Sequence, residues 1–248
     1  MSAPLFLLDS GELAEASVGV ELVLRGSEGR HAADVSRLKA GEAVSLADGS
    51  GATAHCAVSG TAKGELRAVI EELVHEPASV PRFTLVQALA KGDRDLLAIE
   101  IGTELGVDAV VPWQADRSIV RWRGDRAVKG LKKWRQTLIA ATKQARRSRI
   151  PELAPLADRK IVLDRIAAAD VALVLHESAV EPLAEIDVPA EAGEVVLIVG
   201  PEGGISEAEL ADFVAAGARS VRLGSTVLRT STAGSAAIAV LSAQTRWR

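Results

Sequence analysis

A change of pattern at residues 76–81 constrains the fold of this chain more than any other feature. Pro77 and Pro81 lie close together there, and such a pair disfavours both a helix and a central strand. Short alternating segments precede the prolines, whereas apolar strands alternating with helical segments follow them. The sequence therefore predicts two domains, a small β-rich one at residues 1–76 and a larger α/β one at residues 82–248.

The first domain is expected to be a small β-barrel. Alternating apolar and polar residues predict strands at residues 20–24, 43–46 and 65–70. The Asp-Gly-Ser-Gly run at residues 48–51 is typical of a turn between strands, and residues 31–38 are consistent with one short helix.

The second domain is expected to contain a mostly parallel sheet, because strands and helices alternate along it. Gly106 predicts the end of its first helix, and Ser206 with Glu209 predicts a capping box at the start of another. Strands are expected at residues 83–89, 108–111, 171–175, 195–199 and 219–223, and helices at residues 94–105, 128–147, 207–216 and 232–244.

Two loops of the second domain contain residue types suited to a ligand site. Residues 199–206 include three glycines, which let a backbone approach a ligand closely. Residues 223–234 place Arg229 among small and hydroxylic residues. The first loop does not fit the glycine patterns that cradle phosphates. The structural alternative for the first loop is a tight strand-to-helix turn. For the second loop it is a capped helix with a solvated arginine.

Composition excludes several classes of protein. The net charge of −4 argues against a generally basic nucleic-acid-binding protein. Cys56 is the single cysteine, so neither an internal disulfide nor a zinc site is expected. The low cysteine content also predicts a reducing, cytoplasmic location. The four histidines are not spaced as metal ligands, and no apolar run suits a signal peptide or a membrane span. We therefore expect no metal and no membrane association.

A local excess of positive charge interrupts this acidic chain. Residues 117–149 contain twelve Lys or Arg and a single acid, Asp125, for a net charge of +11. Three tryptophans, Trp113, Trp122 and Trp134, lie within or beside this basic stretch. Basic residues neutralise phosphates and tryptophan can stack on a base, so the stretch favours RNA over a merely solvated helix face. At least one of the tryptophans is expected in the core instead.

The two loops resemble a known group of enzymes. The Gly-Pro-Glu-Gly-Gly run at residues 200–204 and the segments at residues 223–224 and 227–230 resemble the knotted-loop motifs of SPOUT methyltransferases. More narrowly, they are similar to the ribosomal RNA small-subunit methyltransferase E family. Matching segments at residues 31–37, 91–94, 104–107 and 134–151 extend the resemblance over nearly the whole chain.

This resemblance implies both a fold and an activity. The fold would be a PUA-like RNA-binding β-barrel joined to a SPOUT α/β domain with a C-terminal trefoil knot, although knots are otherwise rare. The activity would be methylation of N3 of a uridine in 16S ribosomal RNA, within the small ribosomal subunit, by a homodimer that uses S-adenosylmethionine.

The chemistry of such a methyl transfer suggests roles for residues of the two loops. Arg229 would stabilise negative charge on the uracil ring and Glu202 would accept a proton or bind the cofactor, which makes these two the catalytic candidates. The cofactor-binding candidates are Leu175, His176, Val199, Gly200, Glu202, Gly203, Leu223, Gly224, Val227, Leu228 and Arg229. The RNA-binding candidates are Arg37, Lys91, Arg94, Arg117, Arg121, Lys143, Arg146, Arg147 and Arg149.

One departure from the family pattern leaves alternatives open. Ser231 stands where the family usually has a glutamate. A SPOUT enzyme that methylates the ribose 2′-hydroxyl is one alternative activity. A ribosome-assembly factor that binds RNA without catalysis is another, and cofactor binding would distinguish it from an enzyme.

Overall fold

The structure is a computed structural model that describes residues 3–247 and divides into two compact units. The first unit contains the residues up to Ala78 together with Thr142–Ile150, and the second contains Ser79–Ala141 and the residues from Pro151 onward. The fold class expected from the sequence is confirmed, since one unit is built on a small sheet and the other on a parallel sheet with helices.

The first unit is built on a five-stranded sheet. Its strands are β1 (Leu5–Leu7), β2 (Glu21–Leu24), β3 (Ala43–Ala47), β4 (Ala52–Ala62) and β5 (Glu65–His75), and its helix α1 is Gly26–Arg30. The strand order is β1-β3-β4-β5-β2, with β1 parallel to β3 and the other neighbours antiparallel. Helix α1 continues into a π-helical turn at His31–Val35, so the helical segment begins earlier than the expected residues 31–38.

Strand β4 is the main element of this unit that the sequence pattern did not reveal. It is composed largely of alanine, threonine, serine and glycine, whose small side chains give a weak alternation of hydrophobicity. Nevertheless Ala52, Ala54, Cys56 and Val58 all point into the core, as period-two geometry requires. The strand pairs with β3 and β5 and is irregular at two positions along β5.

The second unit is built on a seven-stranded parallel sheet with helices. Its strands are β6 (Arg82–Ala88), β7 (Ala109–Trp113), β8 (Glu152–Leu153), β9 (Val171–Leu175), β10 (Glu181–Pro182), β11 (Glu194–Val199) and β12 (Arg219–Arg222). Its helices are α2 (Arg94–Glu104), α3 (Asp125–Gln144), α4 (Arg159–Ala168), α5 (Glu207–Ala215) and α6 (Thr230–Thr245). The strand order is β10-β12-β9-β11-β6-β7-β8.

Strand β11 lies in the middle of this sheet and positions the loop that follows it. It pairs in parallel with β6 on one side and β9 on the other. Residues 195–199 are all buried, as expected of a central strand covered on both faces. The carboxyl ends of β9, β11 and β12 therefore lie at one edge of the sheet.

The chain crosses back over the sheet after β12. Helix α6 packs against α2, β6 and β11, although β9 and β11 separate β12 from β6 in the sheet. The segment between Arg222 and Thr230 makes this crossing. This return path is the part of the fold that the resemblance expects to be knotted.

The helices differ from the sequence predictions mainly at their ends. The capping box of Ser206 and Glu209 is confirmed at the start of α5. Helix α3 is shifted toward the N-terminus relative to the expected residues 128–147, and α6 begins two residues before the expected Thr232. Helix α4, which Asp158 caps by accepting from the amide of Ile161 at 3.0 Å, was not predicted.

No helix within residues 3–247 is both long and apolar enough to cross a membrane.

Candidate functional site

Three loops of the second unit meet at one cavity of about 500 Å³. They follow β9, β11 and β12, at the end of a parallel sheet where open α/β folds bind ligands. The cavity brings together all the residues that the sequence predicts to bind the cofactor. These are Leu175, His176, Val199, Gly200, Glu202, Gly203, Leu223, Gly224, Val227, Leu228 and Arg229.

The glycines after β11 are required by close packing around them. A Cβ atom on Gly200 would lie 2.7 Å from Cγ1 of Ile205, and one on Gly203 would lie 3.1 Å from the carbonyl oxygen of Arg117. Gly204 has a φ of +73°, a conformation that other residues adopt at a cost. The loop therefore presents bare backbone at this end of the cavity.

Glu202, one of the two predicted catalytic residues, is held in an ion pair. Its Oε1 accepts hydrogen bonds from Nη1 of Arg94 at 2.8 Å and from the backbone amide of Lys91 at 2.9 Å. Partial burial acts to raise the pKa of Glu202, but hydrogen bonds from its own amide, from Arg94 and from Lys91 outweigh burial and hold that pKa below its usual range. A carboxylate held in this way is a weak proton acceptor.

Arg229, the other predicted catalytic residue, is the N-cap of α6 and lines the same cavity. Its carbonyl oxygen accepts hydrogen bonds from the amides of Thr232 and Ala233 at 2.8 and 3.0 Å. Its side chain is exposed, and no residue between positions 3 and 247 pairs with its guanidinium group. The guanidinium is therefore available to an anionic or electron-rich ligand atom.

Four predicted RNA-binding residues lie in the second unit. Arg94 and Arg117 line the cavity, and Nη1 of Arg117 lies 3.4 Å from the carbonyl oxygen of Gly203. Lys91 has an exposed side chain, and Arg121 donates to a backbone carbonyl of its own loop at 2.7 Å. The cavity thus has basic side chains from two segments beside its glycine-rich loop.

The cavity wall also contains five polar residues that are not among the predicted site residues: Glu177, Arg222, Ser225, Thr226 and Thr230. Arg222 is the last residue of β12, directly before the second predicted loop. Thr230 is the first residue of α6 and is buried. Thr230 belongs to the segment 227–230 that the sequence singled out, but its hydroxyl carried no predicted role because its partners are distant in the chain.

His176 lines the cavity without forming part of a metal cluster. Its Nδ1 lies 2.8 Å from the hydroxyl of Ser178 and accepts from the Ser178 amide at 3.3 Å. The other ring nitrogen, Nε2, is the one left for a ligand. Within the described part of the chain, no three His, Cys, Asp or Glu side chains are grouped in a way that could hold a metal ion.

Two family models match the chain, one after the other. Residues 24–71 match an RNA methyltransferase PUA domain, and residues 76–242 match an RNA methyltransferase domain. The whole chain is 43% identical to ribosomal RNA small subunit methyltransferase E of Mycobacterium bovis and covers 94% of that relative. The chain belongs to the ribosomal RNA small subunit methyltransferase E family. The family member of Bacillus subtilis is 29% identical, with 90% of each chain covered.

Solved structures of methyltransferases share this fold over almost the whole chain. Ribosomal RNA small subunit methyltransferase E of Neisseria gonorrhoeae, bound to S-adenosyl methionine, matches with a TM-score of 0.87 at 31% identity and 98% coverage of both chains. A putative methyltransferase of Legionella pneumophila, in complex with the bound cofactor SAM, matches with a TM-score of 0.86 at 28% identity and 99% coverage of both chains.

Two RNA-binding candidates of this methyltransferase E family member are engaged inside the first unit. Nζ of Lys143 donates to both carboxylate oxygens of Glu28, at 2.7 and 2.8 Å, and lies 5.6 Å from the ring centroid of Phe6. The guanidinium of Arg149 donates to the carbonyl oxygen of Glu76 at 2.6 Å. These contacts give both side chains a structural role, whether or not they also meet RNA.

The other candidates of the first unit are more accessible. Arg37 and Arg146 are exposed and have φ values of 53° and 55°, in the left-handed region that arginine rarely adopts. Arg147 is half-buried next to Arg146. Unfavourable backbone conformations persist where the surroundings impose them, and they are frequent at functional sites. Arg37 and Arg146 are therefore the first-unit candidates that the geometry favours most.

The tryptophans of the basic stretch do not form an exposed stacking surface. Trp113 and Trp134 are buried, at 0% and 1% exposure, which confirms that at least one of the three belongs to the core. Trp122 is half-buried and packs edge-on against Trp134, with ring centroids 5.7 Å apart. Of these three tryptophans, Trp122 is therefore the one with surface left for base stacking.

Proposed function

We propose that this protein transfers the methyl group of S-adenosylmethionine to N3 of a uridine in 16S ribosomal RNA of the small ribosomal subunit. The observation that carries the proposal is the meeting of the loops at residues 199–206 and 223–234 at one cavity, with Arg229 on its wall and unpaired among the described residues. The family names of the relatives and the cofactor in two similar solved structures support the substrate class and the cofactor.

The residues of the cavity fit such a cofactor. Its volume of about 500 Å³ lies within the range of about 300 to 1,000 Å³ that is usual for small-molecule sites. Leu175, Val199 and Leu223 offer apolar surface for a flat base, and the loop at Gly200 and Gly203 offers backbone polar groups at close range. We assign these residues to cofactor binding.

Catalysis by this site would rest mainly on charge and position. S-adenosylmethionine supplies an activated methyl group, so the chain has to orient the uridine and favour loss of its N3 proton. As that proton leaves, negative charge spreads to O2 and O4 of the ring. Arg229 is the residue assigned to stabilise this charge, since no carboxylate within residues 3–247 pairs with its guanidinium.

The contacts of Glu202 favour a positioning role over that of a general base. Its carboxylate is paired with Arg94 and its pKa is lowered, so proton uptake at neutral pH is unfavourable. Of the two catalytic candidates, Arg229 is therefore the one on which the proposal depends. Solvent is the natural acceptor for the N3 proton.

We assign RNA binding to basic residues of both proposed domains, residues 1–76 and 82–248, and to the basic stretch. Lys91, Arg94, Arg117 and Arg121 would contact RNA beside the cavity. Arg37, Arg146 and Arg147 would contact phosphates elsewhere on the RNA. Lys143 and Arg149 would contribute through the same stretch while also holding the first unit together.

We also propose that the protein is a cytoplasmic homodimer that acts without a metal. Support for the dimer comes from helix α6, one side of which carries small residues that its own chain leaves partly uncovered: Ala236, Ala239, Val240 and Ala243. A helix that is apolar on several faces is usually buried on more than one side. Light scattering at micromolar concentration tests this, and a monomeric mass contradicts it.

The proposed function is tested by analysis of nucleosides from 16S ribosomal RNA. A deletion strain should lack one N3-methyluridine, and the cloned gene should restore it. Loss of a 2′-O-methylated nucleoside instead would favour the ribose methyltransferase. An unchanged nucleoside profile, with no cofactor binding by calorimetry, would favour the non-catalytic assembly factor.

A further inference from the structure

The hydroxyl of Thr230 joins the loops at residues 199–206 and 223–234 to the centre of the sheet. Its Oγ1 donates a hydrogen bond to the carbonyl oxygen of Gly200 at 2.7 Å and accepts one from Nε2 of Gln87 at 2.8 Å. Thr230 is 7% exposed and Gln87, on β6, is fully buried. A threonine hydroxyl has one proton to give, so the bond from Gln87 leaves that proton directed at Gly200.

The packing of helix α6 makes this contact possible. Gly234 lies four residues after Thr230 and thus on the same face of the helix. A Cβ atom at Gly234 would lie 2.8 Å from Cδ1 of Leu85 and 3.3 Å from Cγ2 of Val199. Glycine therefore lets the helix approach β6 and β11 closely, and this approach brings the Thr230 hydroxyl within reach of Gly200.

Thr230 also determines where Arg229 is placed. Arg229 is the N-cap residue directly before Thr230 and is in an extended conformation, with its side chain on the cavity wall. The hydrogen bond from Thr230 to Gly200 thus fixes the start of one loop and the end of the other at the same point. Both loops line the cavity at which the proposed methyl transfer would take place.

We infer that Thr230 is a positioning residue that holds the Gly200 loop and Arg229 in the arrangement that binds the cofactor and stabilises the transition state. This inference rests on the proposed function. Without the hydroxyl, the Gly200 carbonyl loses this partner and the loop populates other conformations. Apparent affinity for the cofactor is then lower, in proportion to the fraction of molecules that keep the binding arrangement.

The test compares Thr230→Val, which keeps the shape and removes the hydroxyl, with Thr230→Ser, which keeps the hydroxyl. Thr232→Val is the matched control, because Thr232 lies two residues away with an exposed side chain. We expect Thr230→Val to bind S-adenosylmethionine about tenfold more weakly in calorimetry, as loss of a buried hydrogen-bond partner implies. Its turnover at saturating cofactor should also fall. Thr230→Ser should recover most of both properties, and Thr232→Val should match the wild type.

A second variant keeps the inference testable if Thr230→Val does not fold. Gln87→Met retains length and apolar packing but no longer orients the Thr230 hydroxyl. The Oε1 atom that it removes has no hydrogen-bond partner among the described residues. We expect this variant to fold, and to bind the cofactor several-fold more weakly, because the hydroxyl is then free to turn away from Gly200.

The outcomes separate this inference from the proposed function. If wild-type protein neither binds S-adenosylmethionine nor methylates small subunits, the proposed function itself is wrong. If the wild type is active and Thr230→Val equals Thr230→Ser in affinity and turnover, the positioning role is wrong. A Thr230→Val variant that unfolds at lower temperature but keeps both values, or a Gln87→Met variant with unchanged affinity, would also overturn it.

Discussion

Arg94 and Glu202 form an ion pair, 2.8 Å between Nη1 and Oε1, that joins the segment after β6 to the glycine-rich loop after β11. Arg94 is a candidate for RNA binding, and Glu202 belongs to the proposed cofactor loop. The pair therefore links the two ligands that the protein is proposed to bring together. Both side chains are partly exposed, at 41% and 25%, so solvent weakens the attraction between them.

Replacement of Glu202 by Gln tests which role this carboxylate has. If Glu202 positions its neighbours, Glu202→Gln should lower methyl transfer modestly, because Gln can still accept the hydrogen bond from the Lys91 amide. If it is the general base, turnover should fall by about a hundredfold or more. Single-turnover methylation of small ribosomal subunits, with Glu207→Gln on the exposed start of α5 as the control, distinguishes the two results.

The stability of the loop should depend on pH in a direction set by the same carboxylate. The pKa of Glu202 is lowered in the folded protein, so the pair stabilises the fold above the unfolded carboxyl pKa of about 4.3. That contribution is lost as the pH falls through the lower folded value. Wild type should exceed Glu202→Gln in unfolding free energy at neutral pH by at most about 1 kcal/mol. Urea unfolding should be measured at neutral pH and at an acidic pH below the folded pKa of Glu202. The gap should close at the acidic pH, and a gap that widens there would contradict the ion-pair account.

Charge reversal at Arg146 should weaken RNA binding without affecting the cofactor. Arg146 is exposed and lies in the basic stretch, so Arg146→Glu should reduce affinity for ribosomal RNA. The plot of log affinity against log salt should become shallower by about one unit for each phosphate that the protein no longer neutralises. Lys160→Glu, on the exposed side of α4, is the matched control. An unchanged salt slope for Arg146→Glu would mean that this side chain is merely solvated.

Cys56 should be unreactive in the folded protein. Burial, and secondarily the nearby charge of Glu71, raise the pKa of its thiol to about 11, so almost no thiolate forms at neutral pH. Titration with a thiol reagent at pH 8 should give no prompt reaction in native protein. One equivalent should react promptly in denaturant. Native protein that reacts as fast as a free thiol would show that this part of the first unit opens readily.

The sequence predicted the cavity better than it predicted the partners of the charged residues. The apolar runs of β9 and β11 and the glycines between residues 200 and 204 are local patterns, and the loops that they mark converge as expected. By contrast, Lys91 and Glu202 lie 111 positions apart, and Lys143 and Glu28 lie 115 apart. No periodicity in the chain encodes such pairings, because they depend on how distant elements pack.

The predicted bounds of strands and helices were inaccurate for a related reason. Strand β4 has few large apolar side chains, so the sheet rather than its own propensity determines its extended conformation. The start of α6 depends on Thr230, whose hydroxyl is held by Gln87 of β6 and by Gly200 after β11. Such contacts override the local signal that placed the start at Thr232.

The role of Arg229 gives the most direct test of the proposed chemistry. Arg229 lines the cavity and its guanidinium is unpaired within residues 3–247, so it can meet charge that develops on the uracil ring. A preorganised group of this kind acts mainly in the transition state, and its loss should lower kcat more than it raises KM.

Arg229→Ala should therefore reduce single-turnover methylation of small ribosomal subunits by about a hundredfold or more. Arg229→Lys keeps the charge but loses the planar fork of donors, and should restore only part of the rate. Ser231→Ala, two residues away and buried, should be mild, because a serine hydroxyl at that position replaces the family's usual glutamate and is not expected to transfer a proton. Near-normal turnover in Arg229→Ala together with an inactive Ser231→Ala would reverse these roles, since the residue required for proton loss would then lie inside the helix rather than at its N-cap.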